Sequence, residues 1–170
     1  MGERMPRSDD DPTATLIDEL TRRGLRIAVA ESLTGGLVVA ELTRIPGASL
    51  AVTGGIVAYD TAVKHNLLGV SAELLAREGA VHPEVARQMA DGVRRTFAVD
   101  GRPADLGVAT TGVAGPDGQD GKAPGTVFVG IAMGDEVEAL ALVFGGGREA
   151  IRAATVHAVI DRVLELLARA

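Results

Sequence analysis

Apolar positions along the chain fall into short blocks of two kinds. Residues 25–30 (LRIAVA) form a contiguous, partly β-branched run, the pattern of a strand covered on both faces of a parallel sheet. Residues 54–59 (GGIVAY) and 105–110 (DLGVAT) repeat it, and the first and last of these runs lead into hydroxyl and glycine residues. Between them the period changes. From Pro83, the residues Val85, Met89, Val93 and Phe97 recur at every fourth position, which predicts a helix of about fifteen residues with one core-facing stripe. Asp11 and Pro12 mark a helix start, Leu16, Ile17 and Leu20 supply its stripe, and Gly24 its stop. Residues 37–45 (LVVAELTRI) read as a helix stopped by Pro46 and Gly47, a short helix carrying Lys64 ends at Gly69, and Ser71 caps another. Residues 126–133 and 136–144 flank Gly134 and Asp135 as an antiparallel hairpin, and Gly145, Gly146 and Gly147 precede a long terminal helix. Residues 115–125 (GPDGQDGKAPG) can only be loop, and residues 1–10, polar and without period, read as a disordered tail.

Strands alternating with helices, plus one hairpin, predict a single three-layer α/β/α domain over residues 11–170 with a mixed, mostly parallel sheet. Ligands of such sheets bind beyond the carboxyl ends of the strands, where the Gly-rich turns at 32–36, 111–118 and 145–147 are expected to converge. Composition sharpens the picture of the interior. With no Trp, one Tyr, three Phe and 22 Gly, the core must be filled by small aliphatic side chains at short approach, which fits helices packed closely on a sheet. The net charge of −6 opposes the phosphate-driven affinity of nucleic-acid binders and of proteins of anionic membranes, so neither partner is expected. Zero cysteines exclude disulfides and thiolate sites, and three scattered His leave no helix-spaced pair for zinc, so neither metal nor cofactor is called for. No apolar run approaches the ~20 residues that span a bilayer, and the amino terminus has no apolar leader, so a cytoplasmic location is the expectation.

Ser32 follows a buried strand and precedes two glycines that open a helix, so its hydroxyl is presented at the turn. The amides of Gly35 and Gly36, at a helix amino terminus, are expected to hold a developing oxyanion; the competing reading is that the Ser and Thr here are helix caps. Of 17 basic residues only Lys64 and Lys122 are lysines. An arginine cannot lose its proton whereas a desolvated lysine can, which makes Lys64, on the helix after the second strand, a candidate base for Ser32 if the two strands are neighbours; the alternative is a solvated surface lysine. As a base it needs a pKa of roughly 7 to 8, and burial beside Tyr59 together with a second cation is expected to supply the shift. Lys122 does not complete a P-loop, because Ala123 replaces the hydroxyl and Pro124 with a strand follows where a helix is required. Gly145, Gly146 and Gly147 with Arg148 at a helix start make a better candidate anion site, the alternative being a strand-to-helix turn with an exposed arginine. His65 and His157 read as packing or surface residues, and His82 before Pro83 as an imperfect helix cap.

At these residues the chain resembles the CinA carboxy-terminal domain family, the nicotinamide-nucleotide amidohydrolases. The resemblance spans about residues 15–168 and rests on AESLTGGLVVAELTRIPGAS (30–49), GGIVAYDTAVKHNLLGV (54–70), GAVHPEVARQMA (79–90), TTGVAGPDG (110–118) with PGTVFVGIA, and FGGGREAIR (144–152), in family order. It implies an α/β/α fold with a mixed sheet and deamidation of nicotinamide mononucleotide to nicotinate mononucleotide without a cofactor. The implied nucleophile falls on Ser32 and the base on Lys64, while Tyr59, Thr111 and Arg148 match positions that line the site, Arg148 facing the substrate's phosphate. Thr34, Gly35 and Gly36 complete the expected substrate contacts. Leu33 stands where the family commonly has Cys, His82 where it has Ser, and Asp60 with Thr61 where it has Ser-Asn. The amino-terminal domain of full-length CinA proteins is absent from the chain, so the stand-alone form is implied, and the terminal helix and hairpin edge offer surfaces for a homo-oligomer. A nucleotide-binding regulatory module without catalysis and a plain oligomerisation domain are the alternatives.

Overall fold

The computed structural model describes residues 11–170; the expected tail at 1–10 lies outside the described residues. Asp11 caps helix α1 (Pro12–Arg23) by accepting from the Thr13 and Ala14 amides, and Gly24 closes it in the left-handed conformation. Strand β1 (Ile27–Glu31) leads into α2 (Leu37–Thr43), and β2 (Val52–Val57) into α3 (Thr61–Leu68) and α4 (Ala72–Glu78). Ser71 caps α4, and His82 caps α5 (Pro83–Thr96) through Nδ1, which accepts from the Glu84 amide at 3.1 Å. Strand β3 (Leu106–Gly112) is followed by the loop and the hairpin β4 (Thr126–Met133) and β5 (Glu136–Val143), turning at Gly134 and Asp135; α6 (Arg148–Arg169) ends the chain.

The five strands form one sheet in the order β2-β1-β3-β4-β5. Strand β1 runs parallel to β2 and β3, and only β4 opposes the others, so the mixed sheet has a parallel core. Alternation along β1 divides the interior: Ile27 and Val29 face the core built with α1, α2 and α6, whereas Ala28 and Ala30 face the one built with α3, α4 and α5. The α5 side is where the scarcity of aromatics takes effect. A Cβ on Gly107 would lie 1.9 Å from the Ala90 carbonyl oxygen and one on Gly130 would lie 2.1 Å from that of Ala86, so helix backbone rests directly on strand backbone. Gly107 pairs with Ala132 and Ala109 with Gly130, giving α5 a smooth seat in the middle of the sheet.

The second strand runs over 52–57 rather than 54–59. Gly54 and Gly55 sit inside it because Phe97 and Val39 press on their faces, with 2.6 and 2.3 Å left for a Cβ. Ala58 and Tyr59 thus fall beyond the strand and turn toward the site. The helix after β1 packs on one face of the sheet, against α6, and the helix after β2 packs on the other, against α5. A crevice opens beyond the carboxyl ends of two neighbouring strands whose connections part in this way.

Candidate active site

That crevice is a cavity of about 280 Å³ lined by Ser32, Tyr59, Lys64, Thr111 and Arg148, with the loop 113–119 along one side. Lys64 is 1% exposed although it carries the site's most basic side chain after arginine. Its Nζ donates to Ser32 Oγ at 3.1 Å, to the Ala58 carbonyl at 2.7 Å and to the Tyr59 carbonyl at 3.3 Å. An ammonium has three N–H groups, and all three have acceptors here. Desolvation pulls the Lys64 pKa from 10.5 to about 8, against the opposing fields of Asp60 and Asp120. The expected second cation is therefore not what depresses it: the charged neighbours that act on Lys64 are carboxylates, and burial alone outweighs them.

The structure corrects the reading of the turn after Ser32. Gly35 and Gly36 take the left-handed conformation, φ 60° and 104°, that the turn demands. Their amides, however, do not face the cavity as oxyanion donors. The Gly35 N–H donates to the Ser32 carbonyl at 3.0 Å, and the Gly36 N–H to Glu31 Oε2 at 3.0 Å. Glu31, fully buried at the end of β1, also accepts from the Val38 and Val39 amides at 3.0 and 2.9 Å. A buried carboxylate needs partners, and the amino terminus of α2 supplies them in amides and dipole, which leaves those amides nothing for a substrate. Sequence reasoning passed over Glu31; the signal was an acidic residue closing an apolar strand just ahead of a helix start. Thr34 does not reach the cavity either. It is buried, and its hydroxyl pairs with that of Thr110 at 2.7 Å.

The remaining expected residues do meet. Tyr59, 58% exposed, accepts from Arg148 Nη2 at 3.0 Å, and Arg148 Nη1 donates to the Gly115 carbonyl, so the α6 start, the loop and the strand end join at the cavity mouth. Thr111 donates its hydroxyl to the Ala80 carbonyl at 2.7 Å and lines the wall. Asp120 fastens the loop by accepting from the Ala80 amide at 3.0 Å. Another residue missed from the sequence is Arg152, on the second turn of α6. Its Nε donates to the Leu33 carbonyl and its Nη2 to the Thr34 carbonyl, at 3.0 and 3.1 Å. Among the described residues no group of three His, Asp or Glu side chains is placed to hold a metal, and no helix is long and apolar enough to cross a membrane.

The family model described as the CinA C-terminal domain matches residues 9–167. The chain belongs to this family. A "CinA-like protein" of Gemmatimonas aurantiaca is 43% identical over 95% of the chain, and one of Frankia casuarinae is 44% identical over 95%. The chain spans little more than a third of these relatives, 37% and 36% of their lengths. Among solved structures, a competence-damaged protein (CinA) superfamily protein from Klebsiella pneumoniae superposes with a TM-score of 0.88 at 30% identity, covering 96% of this chain and 100% of that one. The competence/damage inducible protein CihA from Agrobacterium tumefaciens does so with 0.85 at 34% identity, covering 97% and 99%. The CinA fold is thus shared across the whole described α/β domain.

Proposed function

We propose that this CinA domain is an amidohydrolase that converts nicotinamide mononucleotide to nicotinate mononucleotide and ammonia, with Ser32 as nucleophile and Lys64 as general base. The observation that carries the reading is the 3.1 Å contact between Lys64 Nζ and Ser32 Oγ inside a shared cavity. The two carbonyls beside it give that contact a direction. A neutral amine keeps two N–H groups, which match Ala58 O and Tyr59 O, and its lone pair is left toward Ser32. With the Lys64 pKa near 8, a tenth or so of the amine is neutral close to pH 7.

In the first step Ser32 Oγ bonds to the carboxamide carbon while its proton passes to Lys64. The resulting oxyanion needs donors, and the N–H of Leu33 has no acceptor among the described residues. Leu33 belongs to the cavity wall and directly follows the nucleophile, so its amide takes the place first assigned to Gly35 and Gly36. Lys64 returns the proton to the nitrogen as the C–N bond breaks, ammonia leaves, and an ester remains on Ser32. Water, deprotonated by the same amine, then releases the carboxylate and restores both groups. Arg148 at the amino terminus of α6 receives the phosphate.

Ammonia release from nicotinamide mononucleotide tests this, with Ser32→Ala and Lys64→Ala each expected to lower turnover by at least about 10³-fold. Near-normal turnover in either variant overturns the mechanism. Saturable binding with no product in the unaltered protein replaces the enzyme with a nucleotide-binding module.

A further inference from the structure

Among the described residues two arginines give their guanidinium to a pair of backbone carbonyls, Arg94 to those of Ala104 and Gly134 at the far end of the sheet, and Arg152 to two that are successive in the chain and follow Ser32 directly. Arg22, Arg23, Arg44 and Arg162 pair with carboxylates, whereas Arg152 gives its guanidinium to two successive backbone carbonyls, those of Leu33 and Thr34, 119 and 118 residues away. It presses close to that turn: a Cβ on Gly35 would lie 3.3 Å from Nη2. A planar trans peptide points its N–H opposite to its C=O. Holding the Thr34 carbonyl toward α6 therefore turns the Gly35 N–H the other way, where it meets the Ser32 carbonyl at 3.0 Å. That bond in turn fixes the Ser32–Leu33 peptide, and so the direction of the Leu33 N–H. Holding the Leu33 carbonyl sets the Thr34 N–H, which likewise has no acceptor among the described residues.

We infer that Arg152 is a positioning residue: through the Leu33 and Thr34 carbonyls it aims the free amides after Ser32 at the oxygen that becomes charged during acyl transfer. The inference rests on Ser32 being the nucleophile. Glu31 holds the far side of the same turn through the α2 amides, and the Leu37 N–H shares the Thr34 carbonyl at 3.2 Å, so the loss of Arg152 leaves the helix start anchored, weakens the hold on the Thr34 carbonyl and frees that of Leu33. A guanidinium fork spans two carbonyls at once, and an ammonium cannot do so in the same geometry.

The test is the reactivity of Ser32 toward a fluorophosphonate, which develops negative charge on a phosphoryl oxygen without needing any particular amide, followed beside ammonia release. Arg152→Ala is expected to slow labelling and kcat by about 10- to 100-fold, with KM changed less than about threefold and the melting temperature little moved. Ethylguanidinium added to Arg152→Ala should recover part of the rate, and Arg152→Lys should fall between the two. Labelling and kcat at the unaltered level in Arg152→Ala overturn this inference alone. A loss seen only in KM, or one that guanidinium does not relieve, assigns Arg152 to substrate contact or simple packing and overturns it equally. Failure of the unaltered protein to label at Ser32 overturns the serine reading, and this inference with it.

Discussion

Replacing Lys64 by Met should abolish activity and yet stabilise the fold near neutral pH, because the buried ammonium is held against its own desolvation. Lys64 titrates near 8 in the folded protein and at 10.5 when solvated. Below about pH 8 both states carry the proton and the fold bears the full penalty. Between the two values the unfolded chain holds more protons, so stability rises with pH through that window. A gap of this size corresponds to about 3 kcal/mol. Loss of the hydrogen bonds to Ala58, Tyr59 and Ser32 in the Met variant acts the other way and sets the size of the advantage, whereas its change with pH is fixed by the two titration points. The quantity to measure is therefore a difference of differences. Urea unfolding of both proteins near pH 7 and again near pH 10.5 should show the advantage of Lys64→Met over the unaltered protein shrinking by about 3 kcal/mol at the higher pH. An advantage independent of pH would mean that the lysine is not held away from its solvated value, and the base assignment would lose its footing.

Three other outcomes follow from the same geometry. Asp60 and Asp120 both hold the Lys64 pKa up, so Asp60→Asn and Asp120→Asn should each move the acid limb of the kcat/KM profile to lower pH from its midpoint near 8, read by ammonia release across pH. Gly130→Ala puts a methyl group where 2.1 Å separates it from the Ala86 carbonyl oxygen; overpacking of this kind should lower stability by about 1 to 3 kcal/mol in denaturant unfolding, because backbone has to move. Arg148→Met should raise KM for the mononucleotide by tenfold or more, with kcat little changed, and leave the corresponding riboside without phosphate unaffected in steady-state assays.

What could be read from the sequence was local or compositional. The fourfold stripe from Val85 to Phe97 and the caps at Asp11 and Ser71 are short-range patterns, and they give α5, α1 and α4 their observed starts. Lys64 stood out because so few lysines occur, and Ser32 because of the glycines after it; their contact depended on β1 and β2 being neighbours, which the sheet order shows them to be. The oxyanion donors were misplaced because a competitor was overlooked. Glu31 looks like any residue at the end of a strand until its burial is known, and then it claims the very amides that the glycines seemed to leave open. Arg152 was beyond reach for a different reason. Its partners lie more than a hundred residues away, and they are backbone carbonyls, which carry no side-chain signature.

In the proposed reaction Ser32 forms a bond to the substrate's carbonyl carbon. Acid quenching during the first turnover, which protonates Lys64 and stops water attack, followed by peptide mass mapping, captures that bond. A nicotinoyl mononucleotide ester is expected on the peptide carrying Ser32 and should be absent from Lys64→Met. Ammonia released through a complete first turnover with no modified Ser32 peptide at any time point would contradict it.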